Sequence, residues 1–225
     1  MVPTFKTDTF AVFDDFLGPE DLRAARRYMT DENFVQLRYV RRTNNSYRLI
    51  EGDPLVGPPT YHGHPRVPKG FSSYPSGKSL DVVVEALLGA EESLATWIGL
   101  RGSGWDFFSC TPYLYPAGSG LSWHDDAKDR TASFVLYVHD EWKSTWGAEL
   151  LIATDVGDRK AAVERHQGIN TDLGHYVAAE PNRLVVIRAG TPHAVRPVSP
   201  RAGENLRMSV TGFFEPLPQS TRDDR

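Results

Sequence analysis

The stretch Arg183-Leu184-Val185-Val186-Ile187-Arg188-Ala189-Gly190-Thr191-Pro192-His193 decides how the chain folds. Its first half is a run of apolar, mostly β-branched residues, its middle is a small-residue turn, and His193 opens a second run that reaches Val198. That is the pattern of a strand, a tight reversal and another strand. The same rhythm extends outward from Trp105 to Phe214: Phe107–Tyr115, Ala132–His139, Glu149–Ala153 and Leu206–Phe214 are β-like runs separated by Gly, Pro and Asp turns. Several short strands at this spacing predict a sandwich or barrel.

Upstream the character differs. Phe10-Ala11-Val12-Phe13 predicts a strand, and Gly18-Pro19-Glu20-Asp21 starts a helix that runs from about Glu20 to Met29, with Pro early and acids in the first turn. Between Val35 and Gly77 six prolines break any period, which predicts a long loop region. Ser79 or Asp81 is expected to cap a helix carrying Val83, Val84, Leu87, Leu88, Leu94, Trp97 and Ile98, with a break at Gly89. The tail from Pro216 is polar and expected to fray.

Composition narrows the function. The chain has 225 residues and 25 Lys and Arg against 29 Asp and Glu, a net charge of −4, with the basic residues spread rather than striped. A chain of this length buries enough surface to need no disulfide or metal staple, and nucleic acid is not an expected partner. Cys110 is the single cysteine, which excludes an internal disulfide and any cysteine-based cluster. With no leader-like start and no apolar run of membrane length, the expectation is a soluble cytoplasmic protein with no membrane partner.

The chemistry-bearing residues sit within the β-rich half. In Trp123-His124-Asp125-Asp126, alternation on an extended segment turns His124 and Asp126 to one side and Asp125 to the other. His193 is the candidate third ligand from another strand. Two histidines and one carboxylate on one side of a metal leave open coordination positions, the arrangement of non-haem Fe(II) oxygenases. His-x-Asp alone is a weak signal. Leu206-Arg207-Met208-Ser209-Val210-Thr211 strengthens it, because a strand there puts Arg207, Ser209 and Thr211 on one face. A guanidinium beside a hydroxyl suits the far carboxylate of a dicarboxylate.

From Tyr113 to Phe214, about half the chain, the sequence resembles the 2-oxoglutarate and Fe(II)-dependent oxygenases, in particular their prolyl-4-hydroxylase-like branch. Tyr115-Pro116-Ala117-Gly118-Ser119-Gly120 is similar to that branch's approach to His-x-Asp, and Phe134–Trp142 to its next strand. Trp146-Gly147-Ala148-Glu149-Leu150 is similar to its Gly-Gly-x-Leu turn, with Ala148 where a second glycine is usual. Arg183–Ile187 and Pro192-His193-Ala194-Val195 are similar to its distal-histidine segment.

The resemblance implies that His124, Asp126 and His193 bind Fe(II). It also implies that Arg207, assisted by Ser209, pairs with the C5 carboxylate of 2-oxoglutarate, and that Tyr115 and Tyr137 contact that co-substrate. The interval from His193 to Arg207 is longer than many branch members have, and Pro200–Asn205 is expected to be an extended hairpin loop. The implied reaction consumes O2, converts 2-oxoglutarate to succinate and CO2, and oxidises an unactivated C–H bond. Halogenating relatives lack the carboxylate ligand, so Asp126 argues against halogenation. The implied fold is mainly β: a double-stranded β-helix, or cupin-like jelly roll, over residues 105–217. Residues 1–104 are expected to supply bracing N-terminal α-helices and loops, with 218–225 as tail, in one integrated domain whose 35–77 loops cover the entrance.

Trp123, Asp125 and Arg196 are candidate substrate contacts, with Asp129 nearby. An acidic, tryptophan-bearing entrance suggests a small polar natural product, such as an aminoglycoside or other sugar-containing antibiotic precursor, undergoing hydroxylation or oxidative ring closure. Two further readings fit the same residues: a free amino-acid or prolyl-peptide hydroxylase, and a non-oxidative cupin-like metal-binding protein. His62-Gly63-His64 imitates a ligand pair, but its Pro-rich surroundings favour loop positions, and His139, His166 and His175 are read as surface or structural.

Overall fold

The computed structural model describes residues 1–40, 49–126, 129–153 and 174–217. In chain order its elements are β1 (Phe5–Lys6), β2 (Phe10–Phe13), α1 (Pro19–Asp31), β3 (Val35–Gln36), β4 (Ile50–Glu51), β5 (Leu55–Val56), β6 (Thr60–His62) and β7 (Ser72–Ser73). Then come α2 (Asp81–Gly89), α3 (Glu91–Ile98), β8 (Phe107–Tyr115), β9 (Gly120–His124), β10 (Ala132–Tyr137), β11 (Leu150–Ala153), β12 (Gly174–Val177), β13 (Leu184–Arg188), β14 (His193–Val195) and β15 (Arg207–Glu215). The larger sheet runs β1-β2-β13-β10-β15-β8-β5-β3, with β6 and β7 attached through β8, and the smaller runs β12-β11-β14-β9-β4. All pairs except β6 with β7 are antiparallel. The architecture is the expected double-stranded β-helix.

Period-two alternation divides the larger sheet between two cores. Phe134, Leu136, Leu184, Val186 and Val210 face the helices, packing with Tyr28, Val83, Leu87, Leu94 and Trp97. Val135, Tyr137, Val185 and Ile187 face the smaller sheet, packing with Leu150, Ile152, Val177 and Val195. Burial on both faces explains why β10 and β13 read as nearly continuous apolar runs. Each fully buried large apolar side chain contributes roughly 1.5–3 kcal/mol. On α1 the buried residues Ala24, Ala25, Tyr28 and Met29 recur at helical spacing, so one stripe braces the sheet.

Several expectations shift in detail. Asp81 does not cap α2: its carboxylate accepts from the backbone N–H groups of Ser76 and Gly77, at 2.8 and 2.9 Å, and so fixes the preceding loop. The described residues of the 35–77 stretch are not all loop, since they carry β3 to β7. Within it β4 pairs with β9 of the smaller sheet, while β5 pairs with β8 of the larger. One segment thus reaches the edges of both sheets on the same side. The link between β14 and β15 is a single 3-10 turn, Pro200–Ala202. No helix among the described residues is long and apolar enough to cross a membrane.

Gly212 in β15 has no room for a side chain. A Cβ there would lie 2.6 Å from the Phe134 ring and still closer to the carbonyl oxygen of Ser109 on β8. Since the obstruction is backbone in the centre of the sheet, Gly212→Ala is expected to cost roughly 2–3 kcal/mol. A thermal melt reads this as a midpoint lower by about 4–12 °C.

Candidate active site

The two sheets open onto a cavity lined by side chains from β8, β10, β13 and β15 of the larger sheet and β4, β9, β11 and β14 of the smaller. His124 closes β9 and His193 opens β14, and the two are direct cross-strand partners. Between this pair and the Leu121–Val195 pair, two steps along β14 match three along β9. That bulge resets the alternation, so Leu121 and His124 both line the cavity together with Val195 and His193. The imidazole rings lie 4.2 Å apart. Asp126 stands beyond the end of β9 with φ of +48°, a left-handed turn that brings its carboxylate back to the histidines. The predicted convergence is present, and a backbone turn completes what strand alternation alone would not.

Asp126 Oδ2 lies 3.3 Å from His193 Nε2 and 3.9 Å from His124 Nε2. The other ring nitrogens are committed to backbone: His124 Nδ1 donates to the Ser122 carbonyl at 2.9 Å, and His193 Nδ1 to that of Thr191 at 2.8 Å. This fixes the tautomer and aims each Nε2 at the common centre. Three potential ligand atoms, one per residue, lie within 4.8 Å of one another. Burial, reinforced by the neighbouring His193 charge, pushes His124 down to about 4. Burial opposes ionisation of Asp126, but the His193 hydrogen bond and the surrounding positive groups hold it well below the usual carboxylate range. The donor set suits a divalent metal.

Arg207 lines the same cavity and is 2% exposed. Its Nη1 donates to Ser209 Oγ at 3.1 Å, and its guanidinium carbon lies 5.0 and 4.9 Å from the ring centroids of Tyr115 and Tyr137. Its Nε is buried without a hydrogen-bond partner, and no carboxylate pairs with it among the described residues. A buried cation with only a hydroxyl and two aromatic faces for company is costly. An anion entering the cavity would complete it.

The sequence model of the 2OG-Fe(II) oxygenase superfamily matches residues 110–215, the span that carries these residues. Residues 110–215 carry a 2OG-Fe(II) oxygenase superfamily domain. The chain is an oxygenase whose cofactors are Fe(II) and 2-oxoglutarate, with O2 as co-substrate. This sets aside the non-oxidative metal-binding reading. In fold the oxygenase is similar to a prolyl-4-hydroxylase of Pseudomonas putida at 20% identity and a TM-score of 0.60, covering 93% of this chain and 94% of that one. It is also similar to a Trichoplax adhaerens prolyl hydroxylase solved with a hypoxia inducible factor peptide, at 16% identity, TM-score 0.59, and 93% and 84% coverage. A third is HygX of Streptomyces hygroscopicus, solved with nickel and 2-oxoglutarate bound, at 12% identity, TM-score 0.55, and 93% and 83% coverage. No curated protein matches the chain in sequence.

Of the oxygenase's sequence-predicted residues, His124, Asp126, His193, Arg207, Ser209 and Tyr115 line one cavity. Tyr137 stands behind Arg207, fully buried, its hydroxyl without a partner. Trp123, Asp125 and Arg196 are absent from the cavity lining. Arg196 lies just past the end of β14 with its side chain 59% exposed, 3.8 Å from Glu149. Sequence reasoning missed Leu37, Leu49, Ile50 and Leu121, which form an apolar wall, and Arg130, which pairs with Asp126 at 2.9 Å. The wall residues of the Pro-rich segment carry no period of their own, because their pairing partners are far along the chain. His62 and His64 pack against Phe108 and Phe107, and His175 against Phe5 and Phe10. His166 lies outside the described residues.

Two measurements follow from these burials. Because no carboxylate among the described residues pairs with Arg207, Arg207→Met in the absence of 2-oxoglutarate is expected to melt at or above the wild-type temperature; a lower midpoint would show that the guanidinium is needed for folding. His139 is buried between the Tyr137 and Trp142 rings, and its Nε2 donates to the Ala179 carbonyl at 2.6 Å. Burial pushes it from 6.5 down to about 4. Between those values the unfolded chain holds the extra proton, so stability falls as the pH drops through that window. His124 adds a slope of the same sign in metal-free protein. His139→Gln keeps an N–H for Ala179 and is expected to remove up to about 3 kcal/mol of the stability difference between neutral and acid pH, read by urea denaturation.

Proposed function

We propose that His124, Asp126 and His193 hold the Fe(II), and that Arg207 with Ser209, Tyr115 and Tyr137 holds the far carboxylate of 2-oxoglutarate. The observation that carries this reading is one cavity lined both by three converged ligand atoms and by a buried guanidinium that lacks an anion. When bound, the iron and co-substrate supply the oxidative chemistry, with 2-oxoglutarate converted to succinate and CO2 as a substrate C–H bond is oxidised. The chain's own residues do the rest. The Ser122 and Thr191 carbonyls orient the imidazoles, Ser209 orients the guanidinium, and Leu150, Ile187 and Val195 keep the cavity floor apolar so that water is excluded.

The substrate of this reading is a small molecule. The expectation of a polar, cationic sugar rested on Trp123, Asp125 and Asp129, none of which lines the cavity. The described wall of Leu37, Leu49, Ile50 and Leu121 favours a natural product that presents apolar surface towards the iron. A free amino-acid or prolyl-peptide hydroxylase is the second reading, favoured by the fold similarity to prolyl hydroxylases.

Anaerobic titration of metal-free protein with Fe(II) and then 2-oxoglutarate tests the site. The visible charge-transfer band of a chelated keto acid is expected. Asp126→Ala should weaken iron binding by at least about tenfold, and Arg207→Met should weaken 2-oxoglutarate binding by about a hundredfold, the loss of two charge-assisted hydrogen bonds. Bound metal without the band overturns the assignment. A succinate-release screen over aminoglycosides, apolar natural products and prolyl peptides then separates the substrate classes.

A further inference from the structure

We propose that Arg130 is a positioning residue for the metal-binding carboxylate: it holds one oxygen of Asp126 so that only the other is offered to the metal. The inference rests on the ligand assignment proposed above and concerns a residue outside it. Arg130 Nη1 donates to Asp126 Oδ1 at 2.9 Å, while Oδ2 faces both histidine Nε2 atoms. The carboxylate is therefore split between two duties by geometry.

Asp126 needs such a hold. It stands past the end of β9 in a left-handed backbone conformation, so no strand ladder fixes its position. Arg130, by contrast, is well anchored. Its guanidinium lies over the Phe213 ring at 3.4 Å from the centroid, and only 18% of its side chain is exposed. Phe213 belongs to β15, the strand that also carries Arg207. The neighbouring Thr131 is tied down by its backbone N–H to Phe214 O at 2.8 Å and by its hydroxyl to the Gly104 carbonyl. An aromatic platform and a forked donor together set both the plane and the direction of the contact.

The consequence concerns coordination number. A carboxylate that binds through one oxygen leaves three positions beside two histidines on a six-coordinate metal, whereas one that binds through both leaves two. The keto acid's two donor atoms and O2 need three. Arg130 keeps the third position open by occupying Oδ1.

The test uses Mn(II) and Co(II) as probes with the full chain, so that it does not depend on turnover. Arg130→Gln is expected to weaken Mn(II) binding, read by electron paramagnetic resonance, by about tenfold or more. It should also change the intensity of the Co(II) visible absorption, which reports coordination number. Arg130→Lys keeps the charge but not the flat fork, and is expected to restore part of the affinity while leaving the Co(II) spectrum altered. Phe213→Leu removes the platform and leaves the ion pair, and is expected to fall between wild type and Arg130→Gln; should Arg130→Gln not fold, this variant carries the test. If wild type binds Mn(II) and the variants match it in affinity and Co(II) spectrum, the positioning role is overturned and the ligand assignment stands. A wild-type chain that binds no Mn(II) overturns the ligand assignment, and this inference with it.

Discussion

The pairing of His124 with His193 across β9 and β14 is the constraint on which the site depends. Sequence distance between the two histidines is large, and only an antiparallel register sets them side by side. The bulge beside that pair is part of the same constraint, since without the extra residue in β9 either Leu121 or His124 would face outward. Smaller-sheet register thus decides where a metal can sit, and larger-sheet register decides where the guanidinium sits. Arg207 is the cross-strand partner of Tyr115, and Ser209 that of Tyr137, so the side chains gathered around the guanidinium come from three adjacent strands.

Charge is distributed along the cavity with a clear asymmetry. Asp126 is an anion with partners on every side, two imidazoles and Arg130. Arg207 is a cation with none of opposite sign among the described residues. The stability that folding gives up at Arg207 is recoverable only by binding, which is the physical content of preorganisation.

Much of this was legible in the chain. A sandwich or barrel was legible in Arg183–His193 and its repeated rhythm, and the family resemblance added the double-stranded β-helix and the candidate ligands His124, Asp126 and His193. Trp123 and Asp125 flank His124 in sequence but do not line the cavity, so adjacency to a candidate ligand does not by itself mark a cavity position. The five short strands between Val35 and Ser73 read as loop, because strands of two or three residues have no period and exist only through their partners: β4 on β9, β5 and β6 on β8, β3 on β5 and β7 on β6. The wall they contribute was invisible for the same cause. Arg130 was missed because its partner and its platform lie on different elements.

The segment carrying β3, β4 and β5 has a separate significance. Its strands form one edge of each sheet, β3 of the larger and β4 of the smaller, while His124, His193 and Arg207 lie on strands flanked on both sides, β9 by β4 itself. Leu37, Leu49 and Ile50 line the cavity from this segment, so their side chains shape its lining without being candidate ligands themselves. What enters can thus be retuned from the margins of the sheets, at positions separate from the candidate reactive centre.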